Sequence, residues 1–336
     1  MRGALETIVG GGCLDVATAR AVMDLVMDGS ATSAQIGGVL AALRTRGETG
    51  DELAGMVMSM RDHATQVDLA PGAVDTCGTG GDGSNTFNIS TAAAVVAAAA
   101  GCRVAKHGNR AQSSRCGSAD VLEELGVHVA LDAAGVRRCV DEARIGFIYA
   151  PAFHPAMRHA AAVRRELGIR TVFNVLGPLA NPARVRHQAL GVAGNAPAAV
   201  MADVLQRLGH RHALVFTGPG GIDELSLDGV NRGYEVTESG IRDLEIDPQA
   251  LGLRAASRQA LAGGDAATNA KLILAVLDGD SGAARDVVLL NGAAALVAAD
   301  VAPDMSEGIE RCAAAIDSGE ARETLRTLAA VSQAAA

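Results

Sequence analysis

Residues 75 to 91 read Asp-Thr-Cys-Gly-Thr-Gly-Gly-Asp-Gly-Ser-Asn-Thr-Phe-Asn-Ile-Ser-Thr, a glycine-rich stretch that leads into hydroxyl and amide side chains just before the apolar run 91–100. Glycines such as Gly78 and Gly81 let backbone turn with positive φ and approach a ligand closely. A helix that begins near Asn88, Ser90 and Thr91 presents unpaired N–H groups and the positive end of its dipole, which suits phosphate. The spacing lacks the Gly-Lys-Ser/Thr ending of a Walker loop, and no acidic residue follows where a dinucleotide fingerprint needs one. A ligand-free turn between strand and helix is the alternative, and Asp82, Asn88, Ser90 and Thr91 weigh against it.

A second segment, Lys106-His107-Gly108-Asn109-Arg110-Ala111-Gln112-Ser113-Ser114-Arg115-Cys116-Gly117-Ser118-Ala119-Asp120, follows the short apolar run 102–105 and gathers cations, amides and serines with few acceptors among them. Such a set binds phosphate or pyrophosphate. Ser118 serves equally well as a helix N-cap, and Arg110 or Arg115 as solvated surface charge. A third segment, Gly221-Ile222-Asp223-Glu224-Leu225-Ser226, comes after the apolar run 213–216, a candidate buried strand. An acidic pair there is either an exposed turn or a site for a hard cation. Mg²⁺ prefers carboxylates combined with phosphate oxygens and retained waters, so two phosphate-type loops nearby favour the cation.

Helical spacing of apolar residues predicts helices over 16–28, 33–45 with Ser33 as N-cap, and 51–65. From Val74 onward short apolar runs alternate with helical stretches: 102–105, helix 118–125, 127–130, helix 133–144 and 146–149. Alternation of this kind marks an α/β domain with a mostly parallel central sheet flanked by helices. Later helices are expected over 154–167, 197–208, 266–279, 282–299, 306–318 and 320–333. His154 and His159 lie five positions apart in one of these, on different faces.

The ordered motifs together resemble the anthranilate phosphoribosyltransferase family. They are Gly78-Thr79-Gly80-Gly81-Asp82-Gly83, Asn88-Ile89-Ser90-Thr91, Lys106-His107-Gly108-Asn109-Arg110 with Ser113-Ser114, and Gly117-Ser118-Ala119-Asp120. Further along come His154-Pro155-Ala156-Met157-Arg158, Val163-Arg164-Arg165-Glu166-Leu167-Gly168, Arg170-Thr171-Val172-Phe173-Asn174, Leu176-Gly177-Pro178-Leu179, Asn181-Pro182 and Asp223-Glu224. The likeness runs from about residue 5 to residue 325 and is strongest between 75 and 230. The C-terminal segments Thr268-Asn269-Ala270 and Asn291-Gly292-Ala293-Ala294 match more loosely.

This resemblance implies transfer of a 5-phosphoribosyl group from phosphoribosyl pyrophosphate to the amine of anthranilate, the second step of tryptophan synthesis from chorismate. It implies a small N-terminal all-helical domain, residues 1–70, with a returning segment near 165–185, and a large α/β domain, residues 71–336. A homodimer through the small domain and two Mg²⁺ ions are also implied, with Ser90 and Glu224 on one ion and Asp223 and Glu224 on the other. Gly78, Gly81, Asp82, Thr86, Asn88, Ile89, Ser90 and Thr91 would hold phosphoribosyl pyrophosphate, together with Lys106, His107, Gly108, Asn109, Arg110, Ala111, Gln112, Ser113, Ser114 and Ser118. Arg164, Asn109 and the Gly78 backbone would receive anthranilate, with His154, Met157, Arg158 and Pro178 as further lining. No residue declares itself as an obligatory general base. With two Tyr, five Phe and no Trp in the chain, aliphatic and proline contacts must flank the aromatic ring.

Composition is consistent with an enzyme of this size. A chain of 336 residues, 49% hydrophobic, can bury a large core beside a smaller partner. A net charge of −9 argues against a general nucleic-acid binder. The six cysteines show no metal-type grouping. No secretory leader pattern and no span-length apolar run is visible, so a cytoplasmic protein without membrane contact is expected. A pyrimidine nucleoside phosphorylase is the nearest competing reading. Asp223-Glu224 and the segment from His154 to Met157 argue against it.

Overall fold

A computed structural model describes residues 1–111, 115–194 and 196–336. The chain opens with four helices, α1 (Arg2–Val9), α2 (Val16–Met27), α3 (Ser33–Arg46) and α4 (Gly50–Asp62). The starts of α2, α3 and α4 are written in side chains. Asp15 accepts the Thr18 N–H at 2.7 Å, and reciprocal capping boxes pair Thr32 with Gln35 and Thr49 with Glu52. The N-cap of α3 is therefore Thr32, one residue before the expected Ser33, because the residue that caps must itself stay extended.

Strand β1 (Ala73–Gly78) then leads to α5 (Ile89–Ala99), β2 (Arg103–Gly108), α6 (Ser118–Glu124), α7 (Ala133–Ala143) and β3 (Ile145–Tyr149). After these come α8 (Ala150–Phe153), α9 (Arg158–Leu167), α10 (Phe173–Leu179), β4 (His187–Gly191), α11 (Ala198–Arg207) and β5 (His212–Thr217). The chain closes with β6 (Asn231–Thr237), β7 (Gly240–Ile246), α12 (Ala266–Leu277), α13 (Ala283–Ala298), α14 (Met305–Asp317) and α15 (Glu320–Ala334).

Among the described residues the strands form one sheet in the order β3-β2-β1-β4-β5-β6-β7. The first five are parallel; β6 and β7 add an antiparallel edge. Two apolar cores sandwich this sheet. One is built on α5 and α13, helices apolar on every side and buried accordingly. Alanine dominates α5, so α13 packs closely against it. The second core joins the N-terminal helices to α9, α10, α11 and the opposite sheet face, through residues such as Leu53, Val163, Leu176, Leu190 and Met201.

Several elements differ from expectation. Residues 127–130 form no strand: Val127 and Val129 are buried, but the segment joins no ladder among the described residues, and the His128 N–H donates instead to the Ser332 hydroxyl at 2.9 Å. The helix expected over 154–167 is broken, since His154 before Pro155 takes φ −118° and ψ 62°, and only from Arg158 does α9 run. Ser118 lies inside α6, whose N-cap is Gly117.

Candidate active site

The sheet order reverses at β1, with β2 on one side and β4 on the other. Crossovers that leave in opposite directions open a crevice at the strands' carboxyl ends. A cavity of about 810 Å³ lies there, lined by the loop after β1, the start of α5, residues 106–111 and 117–118, residues 168–170, Asn174, Pro178, Asp223 and Glu224. Gly78 and Gly191 end β1 and β4 in register. Neither could carry a side chain: a Cβ on Gly78 would meet the Asp223 carboxylate, and one on Gly191 the Asp223 carbonyl. The acidic turn after β5 drops into the space these glycines leave.

From there Asp223 accepts the Gly80 N–H at 2.6 Å, and its own N–H donates to Asp82 Oδ2 at 3.3 Å. Asp82 also accepts from the Ser84 N–H and hydroxyl. Asp82 thus ties the glycine loop to the acidic turn. Glu224 accepts the Ser90 N–H at 3.1 Å, and the Thr91 N–H donates to the Asn88 carbonyl at 3.1 Å. The N-terminus of α5, expected to be open to an anion, is therefore partly filled by a carboxylate. The Thr91 hydroxyl beside it is buried without a partner among the described residues.

Burial, and then the charge on Asp82, push Asp223 up to about 7, while burial and Asp223 push Glu224 up to about 8. Lys106 is the cation facing them. Its ammonium donates to the Thr76 carbonyl and to the Ser90 hydroxyl at 3.3 Å, and burial pulls its pKa below the usual lysine range. Two crowded carboxylates and a hydroxyl, short of positive charge, suit a divalent cation. Among the described residues no group of three or more His, Cys, Asp and Glu side chains is placed to hold a metal. An ion that shares its shell with phosphate oxygens and water fits the set that is present.

The α/β domain of a glycosyl transferase family matches residues 70–322, and the helical bundle domain of that family matches residues 2–64. The chain is 56% identical over 335 residues to anthranilate phosphoribosyltransferase of Chloroflexus aggregans, covering 99% of this chain and 98% of the relative. The chain belongs to the anthranilate phosphoribosyltransferase family. The enzyme of this family from Thermus thermophilus superposes with a TM-score of 0.92 at 43% identity, covering 98% and 99% of the two chains. The Saccharomyces cerevisiae family member in complex with phosphoribosyl pyrophosphate and Mg superposes at 0.89 with 26% identity, covering 99% and 98%.

Within this family member, the expected phosphate set is largely brought together. Gly78, Gly81, Asp82, Thr86, Asn88, Ser90, Thr91, Lys106, His107, Gly108, Asn109, Arg110, Ala111 and Ser118 line one cavity. Ile89 is fully buried beneath it. Gln112, Ser113 and Ser114 lie outside the described residues. Arg110 reaches outward: its guanidinium takes both Glu123 oxygens at 2.5 and 2.7 Å, Asp120 at 3.2 Å and the Tyr149 hydroxyl at 3.3 Å. That fork is filled, so a phosphate would have to compete for it.

Of the residues expected to receive anthranilate, Gly78, Asn109 and Pro178 line the cavity, whereas Arg164, His154, Met157 and Arg158 are not among its lining residues. The Arg164 guanidinium lies 5.0 Å above the Phe173 ring, and burial lowers its pKa. His154 and His107 pack with ring centroids 5.2 Å apart. Burial, and for His107 also its neighbour His154, push them down to about 3 for His107 and about 4 for His154, so both rings are neutral. Each leaves a buried Nε2 without a partner among the described residues. Met157 packs on the helical core, and Arg158 bonds the Pro155 carbonyl at 3.1 Å.

Arg170 was not singled out from sequence, although it opens one of the matched motifs. Its guanidinium donates to the Gly81 carbonyl at 2.8 Å and the Gly80 carbonyl at 3.4 Å, joining the segment after α9 to the glycine loop.

Proposed function

We propose that this protein transfers the 5-phosphoribosyl group of phosphoribosyl pyrophosphate to the amino group of anthranilate, giving N-(5-phosphoribosyl)anthranilate and pyrophosphate. The observation that carries this reading is the meeting of Lys106, the start of α5 and the Asp223–Glu224 pair in one cavity at the sheet's switch point. Ser90, Asp223 and Glu224 are the residues that would hold Mg²⁺, as two ions. Mg²⁺, when bound, neutralises charge on the pyrophosphate as it leaves.

The chain's own groups position the two reactants. Backbone N–H groups of the glycine loop, Lys106 and Ser118 hold the phosphates on one side. Asn109 and the Gly78 backbone meet the anthranilate carboxylate on the other, with His107 and Pro178 as its flank, and Arg164, outside the lining, is the cation that draws it in. Bringing amine and C1′ together in line converts a collision into an intramolecular event. His107 and His154 carry no charge, and an aromatic amine attacks without prior deprotonation. We further infer a cytoplasmic homodimer joined through α1–α4, supported by apolar surface left there, such as Val9 at 72% exposure.

The test is direct: mix the protein with phosphoribosyl pyrophosphate, Mg²⁺ and anthranilate, and follow anthranilate fluorescence. A Mg²⁺-dependent decay supports the reading. A flat trace, with phosphorolysis of a pyrimidine nucleoside by the same sample, replaces it with the phosphorylase.

A further inference from the structure

The acidic turn that carries Asp223 and Glu224 lies between β5 and β6, and its residues 225 and 226 belong to no strand. Both are nevertheless buried, Leu225 at 0% and Ser226 at 1% exposure. Buried backbone needs partners for each N–H and C=O. Two asparagines from separate elements supply them. Asn291 of α13 accepts the Leu225 N–H on Oδ1 at 3.0 Å and donates from Nδ2 to the Leu225 carbonyl at 2.9 Å. Asn231, which opens β6, does the same for the next residue: it accepts the Ser226 N–H at 2.7 Å and donates to the Ser226 carbonyl at 3.0 Å.

We propose that Asn291 and Asn231 are positioning residues that act as a two-sided amide clamp on the backbone of the acidic turn, fixing where Asp223 and Glu224 present their carboxylates. A side-chain amide offers one acceptor and a donor group in the geometry of a peptide, so each asparagine takes the place of a neighbouring strand. Their donor groups are fully spent. Asn291 spends its second Nδ2 hydrogen on the Val287 carbonyl at 2.9 Å, and Asn231 also reaches the Ile246 carbonyl at 3.2 Å. The clamp is also well placed. Helix α13 packs on α5, the helix whose Ser90 N–H meets Glu224, and Asn291 lines a small void with Ser90 and Glu224. One helix thereby sets both halves of the proposed ion site.

This inference rests on the assignment of Asp223 and Glu224 to Mg²⁺, and its test separates the two. The variants are Asn291→Asp, which keeps the acceptor for Leu225 but loses the donor, Asn231→Asp, its counterpart, and Glu224→Gln as control. Each is checked for a cooperative melt, then for hydrogen exchange in the peptide spanning 223–227. Uptake of Mn²⁺ with phosphoribosyl pyrophosphate is followed by electron paramagnetic resonance.

The clamp predicts faster exchange across 223–227 in both Asp variants, and Mn²⁺ affinity lower by about tenfold, as for other partners that orient metal ligands. The anthranilate KM should stay within a factor of about two in the same variants. Wild-type exchange in folded variants overturns the clamp, and so does faster exchange with wild-type Mn²⁺ affinity while Glu224→Gln weakens it. If Glu224→Gln leaves Mn²⁺ uptake unchanged, the metal assignment falls instead, and exchange alone decides whether the asparagines hold the turn. A variant that does not melt cooperatively is replaced by Asn→Ser at the same position and read the same way.

Discussion

The Arg170 guanidinium lies against the carbonyl of Gly81, 2.8 Å away, and a Cβ on Gly81 would sit 2.6 Å from Arg170 Nη1. Gly81 also has φ 72°, which side chains avoid. The glycine loop is thus shaped at one point by two demands, a left-handed turn and room for a cation from the helical side of the molecule. Arg170→Ala should raise the phosphoribosyl pyrophosphate KM roughly tenfold, the low end for losing a charged hydrogen bond. Gly81→Ala should cost more in the native background than in Arg170→Ala, because the clash is then relieved. Steady-state kinetics on the double-mutant cycle measure this, and strict additivity would show that the two residues do not interact.

Arg164 poses a different problem, because its guanidinium is stacked on Phe173 and half-buried, with no carboxylate paired to it among the described residues. A buried cation of this kind gains from a carboxylate brought beside it. Arg164→Ala should raise the anthranilate KM by tenfold or more, corresponding to about 1.5–3 kcal/mol, with little change in the phosphoribosyl pyrophosphate KM. Equal effects on both substrates would remove Arg164 from the anthranilate site.

Loss of the Glu224 charge can be separated from loss of its capping role. In Glu224→Gln the amide oxygen still accepts the Ser90 N–H, so the start of α5 stays capped while the proposed ion loses a charged ligand. The Mg²⁺ concentration for half-maximal rate should rise tenfold or more, and the metal-free protein should melt no lower than wild type, since a crowded buried carboxylate is costly. A lower melting temperature with an unchanged Mg²⁺ requirement would make Glu224 a structural cap.

Much of this was legible in the sequence because the signals were local. The glycines of 78–83, the hydroxyls at the start of α5 and the cations after β2 each announce a loop at a strand's end, and parallel strands bring such loops to one edge. The antiparallel edge was not visible, since Gly240–Ile246 is mostly exposed and Asn231–Thr237, though largely covered, carries Arg232 and Glu235 in place of an apolar run. Strand β4 begins with His187 and Gln188, whose burial depends on partners far along the chain: the His187 ring meets the Ala298 carbonyl, and Gln188 the Pro178 carbonyl. Arg170 and Asn291 escaped for the same reason. Each acts on backbone distant in sequence, so spacing carries no trace of the contact.

Glu52 offers a test of the helical part alone. Its carboxylate has no exposure, yet it accepts the Leu14 N–H at 2.9 Å and the Thr49 N–H at 3.0 Å and pairs with Arg46. Burial works to raise its pKa; the bond to Arg46 and the two N–H donors outweigh burial and hold it below 4.5. A carboxylate depressed on folding contributes stability that is fully present above its unfolded value and lost as pH falls through the folded one. Unfolding by urea should therefore show a midpoint that declines below about pH 4.5 in the wild type, with Glu52 as one contributor. Glu52→Gln should lose about 3 kcal/mol at pH 7, because Arg46 is left half-buried and unpaired. Its deficit should shrink as pH falls below about 4.5, where the unfolded wild-type chain takes up the proton that the folded carboxylate resists. A deficit that stays constant from pH 7 to pH 3 would mean that shape, and not charge, is what Glu52 supplies to the turn between α3 and α4.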